Sequence, residues 1–309
     1  MSNPIVQSVF KTKTFSFLAF LLFFLVVTAS AQEQKRYNVT ARSFVIMDGL
    51  TGKLLLSRRP HMLHPPASTL KMFTAMYVLK NLDMDDLVKV SKDAAAAPAS
   101  KIYIKEGEAY TVRDLMYALL LSSANDGARA LAERVSGSEK DFAQELTWYV
   151  QKWGAVNTVV ANANGLPAKN QYTTAYDLAL LFKMAMENPI IAEIMKTRYY
   201  DISRGRTLRN HNRFLFTTPL CLGGKTGWTI ASRHTYVGKF RNEDKNIIIA
   251  MLGSQRSWAD LRILIELGFD FIGAPVGKLP PEEERLWQRR CYKPNKSKGK
   301  SKQKRASRY

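Results

Sequence analysis

Ser68 and Lys71 stand three residues apart in the stretch Ala67-Ser68-Thr69-Leu70-Lys71. On a helix, side chains at i and i+3 share one face, one turn apart. A serine hydroxyl is a weak nucleophile and needs a neighbouring base. A lysine can be that base when neutral, and burial beside the positive end of a helix favours the neutral amine. A second polar group, Ser123-Ala124-Asn125, lies between the apolar runs Leu115–Leu121 and Ala128–Val135. Polar side chains held between such runs must be paired or used. A third, Lys225-Thr226-Gly227, follows Gly223-Gly224 and precedes Trp228-Thr229. It should open or lie on an edge strand, where glycines let another backbone approach closely. Taken singly, each group also reads as an ordinary helix start, loop or turn.

Together, in the order Ser-x-x-Lys, Ser-x-Asn, Lys-Thr-Gly, they are the signature of penicillin-binding proteins and related serine β-lactamases. The intervals from Ser68 to Ser123 and from Ser123 to Lys225 leave room for a helical insert between two walls of a cleft. Beyond the three motifs, the chain resembles the low-molecular-mass penicillin-binding proteins of the D-alanyl-D-alanine carboxypeptidase type over roughly residues 38–273. The stretches that carry the likeness are Ala67 to Ala75, Leu121 to Asp126, Asn164-Gly165-Leu166-Pro167, Tyr172 to Leu178, Asn210 to Asn212 and Gly224 to Thr229. Where the family continues after Thr229 to an Ala-Gly pair, this chain has Ala231-Ser232-Arg233. The residues after Gly273 are too few and too polar for the second, all-β domain that many members carry.

The resemblance implies a DD-peptidase/β-lactamase-like fold, of α/β (mixed α+β) class, with an antiparallel sheet from both chain ends and a helical insert. It implies a serine-type carboxypeptidase that removes the terminal D-alanine from peptidoglycan stem peptides ending in D-Ala-D-Ala, through an acyl-enzyme on Ser68. Lys71 would take the Ser68 proton, and Ser123 with Lys225 would relay one to the leaving amine. Asn125 would hold the substrate amide. Thr226, with Lys225 and Arg256, would bind the terminal carboxylate. The backbone N–H groups of Ser68 and Trp228 would receive the oxyanion, with Gly227 giving the substrate backbone room. β-Lactam antibiotics would be inhibitors, and no metal or cofactor is implied.

The elements that must position these residues are readable from pattern. Residues 42–58 read as a hairpin around Asp48–Gly52. A largely apolar helix starts at Ser68 after Pro65-Pro66. Residues 91–110 look irregular, and Thr111 with Asp114 three residues on reads as a helix start. Helices over Leu115–Leu121, Ala128–Val135 and 139–153 follow, then one capped by Thr173 or Thr174 and ended by Pro189. Strands are expected around a turn at 203–205, at Thr235–Phe240 and at Ile247–Leu252, with a last helix at 257–272. Strands at both ends and helices between them give one intertwined α/β domain.

The formal net charge of +20 is concentrated at the end, since residues 289–309 hold ten Lys or Arg and no acid. That gives an expected basic tail at 276–309 after a catalytic domain at 32–275. The tail suits a membrane surface or an anionic wall polymer. No aromatic-rich basic module accompanies the charge, so nucleic acid is not an expected partner. Lys11 and Lys13, the apolar run Phe15–Val27 and Ala29-Ser30-Ala31 make residues 1–31 a signal peptide, which would put the rest in the periplasm or at the outer face of the cytoplasmic membrane. Cys221 and Cys291 have no metal or redox spacing, and their pairing is open.

Other readings separate on particular residues. A class A β-lactamase carries a Glu-x-x-x-Asn pattern between the second and third motifs. Here Glu133, Glu139, Glu145, Glu187 and Glu193 are followed four positions later by Gly137, Ala143, Tyr149, Ile191 and Thr197. An endopeptidase that cuts peptide crosslinks would share all three motifs. An idle wall-binding protein would not need all of them intact. His61, His64, His211 and His234 sit in no catalytic pattern.

Overall fold

The computed structural model describes residues 37–203 and 205–279. The expected signal peptide, Cys291 and the tail from residue 280 onward lie outside them. β1 (Ser43–Asp48) and β2 (Leu54–Arg58) pair antiparallel as the expected hairpin. Asp48 closes its turn, accepting from the N–H groups of Leu50 and Thr51 at 3.1 and 2.7 Å. A 3-10 turn over Ala67–Leu70 runs directly into α1 (Lys71–Asn81). The middle of the chain supplies β3 (Leu87–Lys89), α2 (Lys92–Ala95), β4 (Ala109–Thr111), α3 (Val112–Leu121), α4 (Asn125–Ser136) and α5 (Glu139–Lys152). There follow α6 (Ala175–Ala185), α7 (Pro189–Lys196), β5 (Tyr199–Ile202), β6 (Arg206–Arg209) and α8 (Phe214–Thr217). The chain closes with β7 (Cys221–Thr229), β8 (Arg233–Asn242), β9 (Lys245–Ser254) and α9 (Ser257–Phe271).

The main sheet has the order β2-β1-β9-β8-β7, and every neighbouring pair is antiparallel. Both faces of its centre are covered, which explains the nearly unbroken apolar run of β9. Val45 and Met47 of β1 join Ile248, Ala250 and Leu252 of β9 in the core shared with α1, α3, α4 and α6. The alternate residues Phe44, Ile46, Ile247, Ile249 and Met251 pack against Leu261, Leu264, Ile265 and Phe269 of α9. The period of two in the strands thus divides two cores, one per face.

Side-chain caps set several of the helix starts. Thr111, Ser138 and Thr174 accept from the N–H groups of Asp114, Asp141 and Asp177 at 3.1, 3.1 and 3.0 Å. Pro189, expected to end a helix, instead opens α7, with Asn188 accepting from Ile190 N–H at 2.9 Å. Proline lacks only an N–H that the first helical turn leaves unused. The stretch expected to be irregular between 91 and 110 carries α2 and the start of β4, which pairs back on β3 ahead of it. The segment Ala231-Ser232-Arg233 does not delay β8, which begins at Arg233 paired with Thr229. Ser232 and Thr229 exchange hydrogen bonds, each hydroxyl accepting from the other's N–H at 3.0 Å. Arg233 occupies the left-handed position (φ 54°) that a glycine would take without strain.

Gly165 fixes where the Ser68 turn rests. Its φ is +82°, and a Cβ placed on it would lie 1.9 Å from the Ala67 carbonyl oxygen. Gly165→Ala therefore combines backbone strain with a clash against backbone. We expect it to lower unfolding free energy by about 3 kcal/mol or more. Urea unfolding of the variant checks this, and an unchanged midpoint would contradict it.

Candidate active site

Three walls meet at Lys71. The first is the 3-10 turn and the start of α1. Ala67 takes a left-handed φ of 49°, and the Pro66 carbonyl accepts from the hydroxyls of Thr69 (2.6 Å) and Thr235 (2.9 Å). These contacts tie the serine turn to β8 and present Ser68, half-buried, above the buried Lys71. Lys71 Nζ donates to Ser68 Oγ at 3.0 Å, to Asn125 Oδ1 at 2.7 Å and to the Asn164 carbonyl at 2.6 Å. All three donor positions of an ammonium are thereby matched.

The second wall is the junction of α3 and α4. Ser123 has a left-handed φ of 59° that breaks the helical path. Asn125 is already the first residue of α4, three positions earlier than the apolar pattern suggested. Its N–H donates to Ser100 O at 2.7 Å and its Nδ2 to Pro98 O at 3.0 Å, which leaves Oδ1 turned to Lys71. Asp126, beside it, accepts from Ile102 N and Ile104 N at 3.1 and 3.3 Å and so anchors the loop that carries Pro98 and Ser100.

The third wall is β7, an edge strand as expected. An edge strand keeps one row of N–H and C=O groups outside the sheet, free to pair with an extended peptide. A Cβ on Gly227 would lie 2.8 Å from the Ser68 nitrogen and 2.4 Å from Thr235 Oγ1, so only glycine lets β7 sit this close to the serine turn. Lys225 is buried and donates to Ser123 Oγ at 3.1 Å and to Thr226 O at 3.0 Å. Trp228 is 55% exposed, at the rim.

The electrostatics follow from burial. Lys71 is held well below the usual lysine range, first by loss of solvent and then by the positive charge of Lys225, against the opposing pull of Asp126 and Glu139. Burial also brings Lys225 down to about 7. A neutral Lys71 can accept the Ser68 proton, while Lys225 sits where it can carry either charge state near neutral pH.

The structure brings together Ser68, Lys71, Ser123, Asn125, Lys225, Thr226 and Gly227, with Trp228 at the edge. Arg256 is engaged elsewhere: its Nη2 donates to Asn38 O at 3.0 Å and lies 3.8 Å from Asp260 Oδ1. Two contributions were not foreseen. The Asn164 carbonyl is a backbone group, so residue type gave no sign of its role. Asn210 and Asn212, quoted above only for their likeness, prove to be splints. Asn210 Oδ1 accepts from Asn212 N at 2.9 Å, and Asn212 Nδ2 donates to Cys221 Sγ at 3.4 Å at the start of β7. Between them His211 N–H meets the Leu121 carbonyl at 3.0 Å, joining β7 to the end of α3. Cys221 is buried, and burial pushes its thiol up to about 11.

A family model described as D-alanyl-D-alanine carboxypeptidase matches residues 27–256. The chain is 32% identical over 240 residues to D-alanyl-D-alanine carboxypeptidase DacB2 of Mycobacterium tuberculosis, covering 74% of this chain and 82% of that one. The crystal structure of a D-alanyl-D-alanine carboxypeptidase from M. tuberculosis superposes with a TM-score of 0.72 at 30% identity, over 78% of this chain and 96% of that one. A Streptomyces K15 DD-transpeptidase structure superposes with the same TM-score of 0.72 at 26% identity, over 75% and 98% of the two chains. With the antiparallel sheet and its helical insert shared as well, the chain belongs to the D-alanyl-D-alanine carboxypeptidase family of penicillin-binding serine peptidases.

Proposed function

We propose that this protein is a serine D-alanyl-D-alanine carboxypeptidase with Ser68 as its nucleophile. The observation that carries the reading is the pair of short contacts from two buried lysines to two serines, Lys71 to Ser68 and Lys225 to Ser123, on facing walls of one cleft. A stem peptide ending in D-Ala-D-Ala lies along β7. Neutral Lys71 takes the Ser68 proton as Oγ attacks the carbonyl carbon between the two D-alanines. The oxyanion is received by the N–H groups of Ser68 and Trp228, brought together by the close passage of Gly227. Asn125 holds the amide on the acyl side. Collapse of the tetrahedral adduct breaks the C–N bond, and a proton passed through Ser123 and Lys225 leaves with the terminal D-alanine. Lys225 and Thr226 bind the departing carboxylate. Water then attacks the ester on Ser68, its proton going back to the Ser123–Lys225 pair; the C–O bond breaks, the proton held by Lys71 returns to Ser68 Oγ, and the shortened peptide leaves.

Arg256 is assigned no part in this scheme, because its guanidinium is already engaged with Asn38 and Asp260. The substrate places the enzyme outside the cytoplasmic membrane, in agreement with the apolar stretch Phe15–Val27. Among the described residues no helix is long and apolar enough to cross a membrane.

The expected result is release of one D-alanine per turnover from an N-acylated peptide ending in D-Ala-D-Ala, abolished by pretreatment with penicillin. A crosslinked peptide, in which the second D-alanine is replaced by a side-chain amine, should stay intact. Cleavage of the crosslink without D-alanine release would replace this reading by an endopeptidase. No release of either kind from folded protein would end it.

A further inference from the structure

The Asn164 carbonyl is the shortest contact of Lys71, and what aims it is a carboxylate that does not itself touch the reacting groups. Glu139 is the first residue of α5 and mostly buried, with 18% of its side chain exposed. Its Oε1 accepts from Ala163 N at 3.1 Å and from Asn164 Nδ2 at 3.3 Å. Its Oε2 lies 3.7 Å from Arg129 Nε on α4. From the other side, Thr74 Oγ1 of α1 donates to the Ala163 carbonyl at 2.7 Å. The 163–164 segment is thus clamped between α1 and α5, and the carbonyl that emerges from the clamp is the one 2.6 Å from Lys71 Nζ.

We propose that Glu139 is a positioning residue for the Ser68–Lys71 pair, holding the Asn164 carbonyl against Lys71 and placing one negative charge behind it. The inference rests on the serine–lysine chemistry proposed above. The charged or titratable groups that face Lys71 are Lys225 from β7, Asp126 from α4, Glu139 from α5 and His211 from the segment before α8. Glu139 in turn faces Arg129, which also meets Glu133 at 3.2 Å and Asp93 at 3.3 Å. Of the two carboxylates that favour the Lys71 ammonium, Asp126 is committed to its own loop and Glu139 to the lysine's carbonyl partner. Removing the Glu139 charge should let neutral Lys71 persist to lower pH. Removing its grip should loosen the carbonyl and misplace the amine.

The test is the second-order rate of penicillin acylation from pH 5 to 9 for the full chain, Glu139→Gln and Glu139→Ala, with melting curves alongside. Glutamine keeps the length and an acceptor for Ala163 N–H but loses the charge. Its rate relative to the parent should rise about threefold or more between pH 8 and pH 5, because the acid limb has moved down. Alanine should show the same displacement and a plateau about tenfold lower, since misplacing a reacting group by a fraction of an ångström is enough for such a loss. If alanine fails to fold, the displacement in glutamine alone decides. Profiles that coincide with the parent, or that fall by one constant factor at every pH in both variants, would overturn the proposal. A parent protein that is not acylated at all would instead remove the reading on which it rests.

Discussion

A fluorescent penicillin mixed with the parent protein should give a persistent adduct that peptide mapping places on Ser68, and Ser68→Ala should give none. We expect the acylation rate to fall by at least about 1,000-fold, because among the described residues Lys71 meets no hydroxyl but that of Ser68. Lys71 offers its third donor position to Ser68 Oγ and the other two to Asn125 and Asn164. Ser123 is placed against Lys225 instead. The substitution should leave the fold alone, since the turn is held by Thr69, Thr235 and Gly165 through Pro66 and Ala67 and not by the Ser68 side chain. Equal melting temperatures for the two proteins check that point. Label on the alanine variant at the parental rate would mean that another residue is the nucleophile. Rapid turnover of penicillin by the parent would point to a β-lactamase.

Lys71→Met should be nearly as damaging, losing between about 100-fold and 10,000-fold in acylation, while the pH dependence of the parent exposes the same lysine pair. Acylation requires Lys71 without its proton, so the rate should climb as pH rises through the lowered range of that residue. Binding of the terminal carboxylate requires Lys225 with its proton, so the advantage should decline above about 7. A bell follows for the peptide substrate.

The stability consequence has the opposite flavour. Each lysine has a folded-state pKa below its unfolded value of about 10.4. Between about 7 and that value the unfolded chain holds the Lys225 proton that the folded protein has lost, so stability rises with pH across this window. Below about 7 the cost of burying the charge is present in full. The melting temperature of Lys71→Met relative to the parent should accordingly be highest in acid and decline as pH rises toward 10. A constant offset, or one growing with pH, would contradict the burial of a disfavoured charge at this site.

The parts of this site that could be read in the sequence are those in which chemistry requires a particular side chain. A nucleophile, a base and a carboxylate binder leave Ser68, Lys71 and Lys225 at spacings that chance seldom repeats. β7 was legible as an edge strand because Gly223, Gly224 and Gly227 make little sense in the middle of a sheet. What stayed hidden is held by backbone or by indirect contact. The Asn164 carbonyl would look the same with many other side chains. Glu139 stands 68 residues from Lys71 and, as the first residue of a helix behind a serine cap, has a sufficient local reason to be acidic. Pro189 misled because it serves equally as the end of one helix and the first residue of the next. Asn125 falls in the Ser122–Gly127 interruption between two apolar runs, so the pattern reads it as a break between helices, although its own N–H is satisfied by Ser100 as the helix begins.

One property of the sheet bears on when the protein can become a hydrolase at all. β1 has two partners, β2 beside it in sequence and β9 some 200 residues later, where Ser43 meets Leu252. A two-stranded hairpin by itself is marginal in water. A growing polypeptide must therefore carry its first strand unfinished until Lys245–Ser254 has been made. Only then do β8 and β7 acquire the platform that sets Gly227 against the serine turn. The order of synthesis thus works as a check on completeness: a chain that stops short of this strand carries every motif residue of the cleft and still has no cleft.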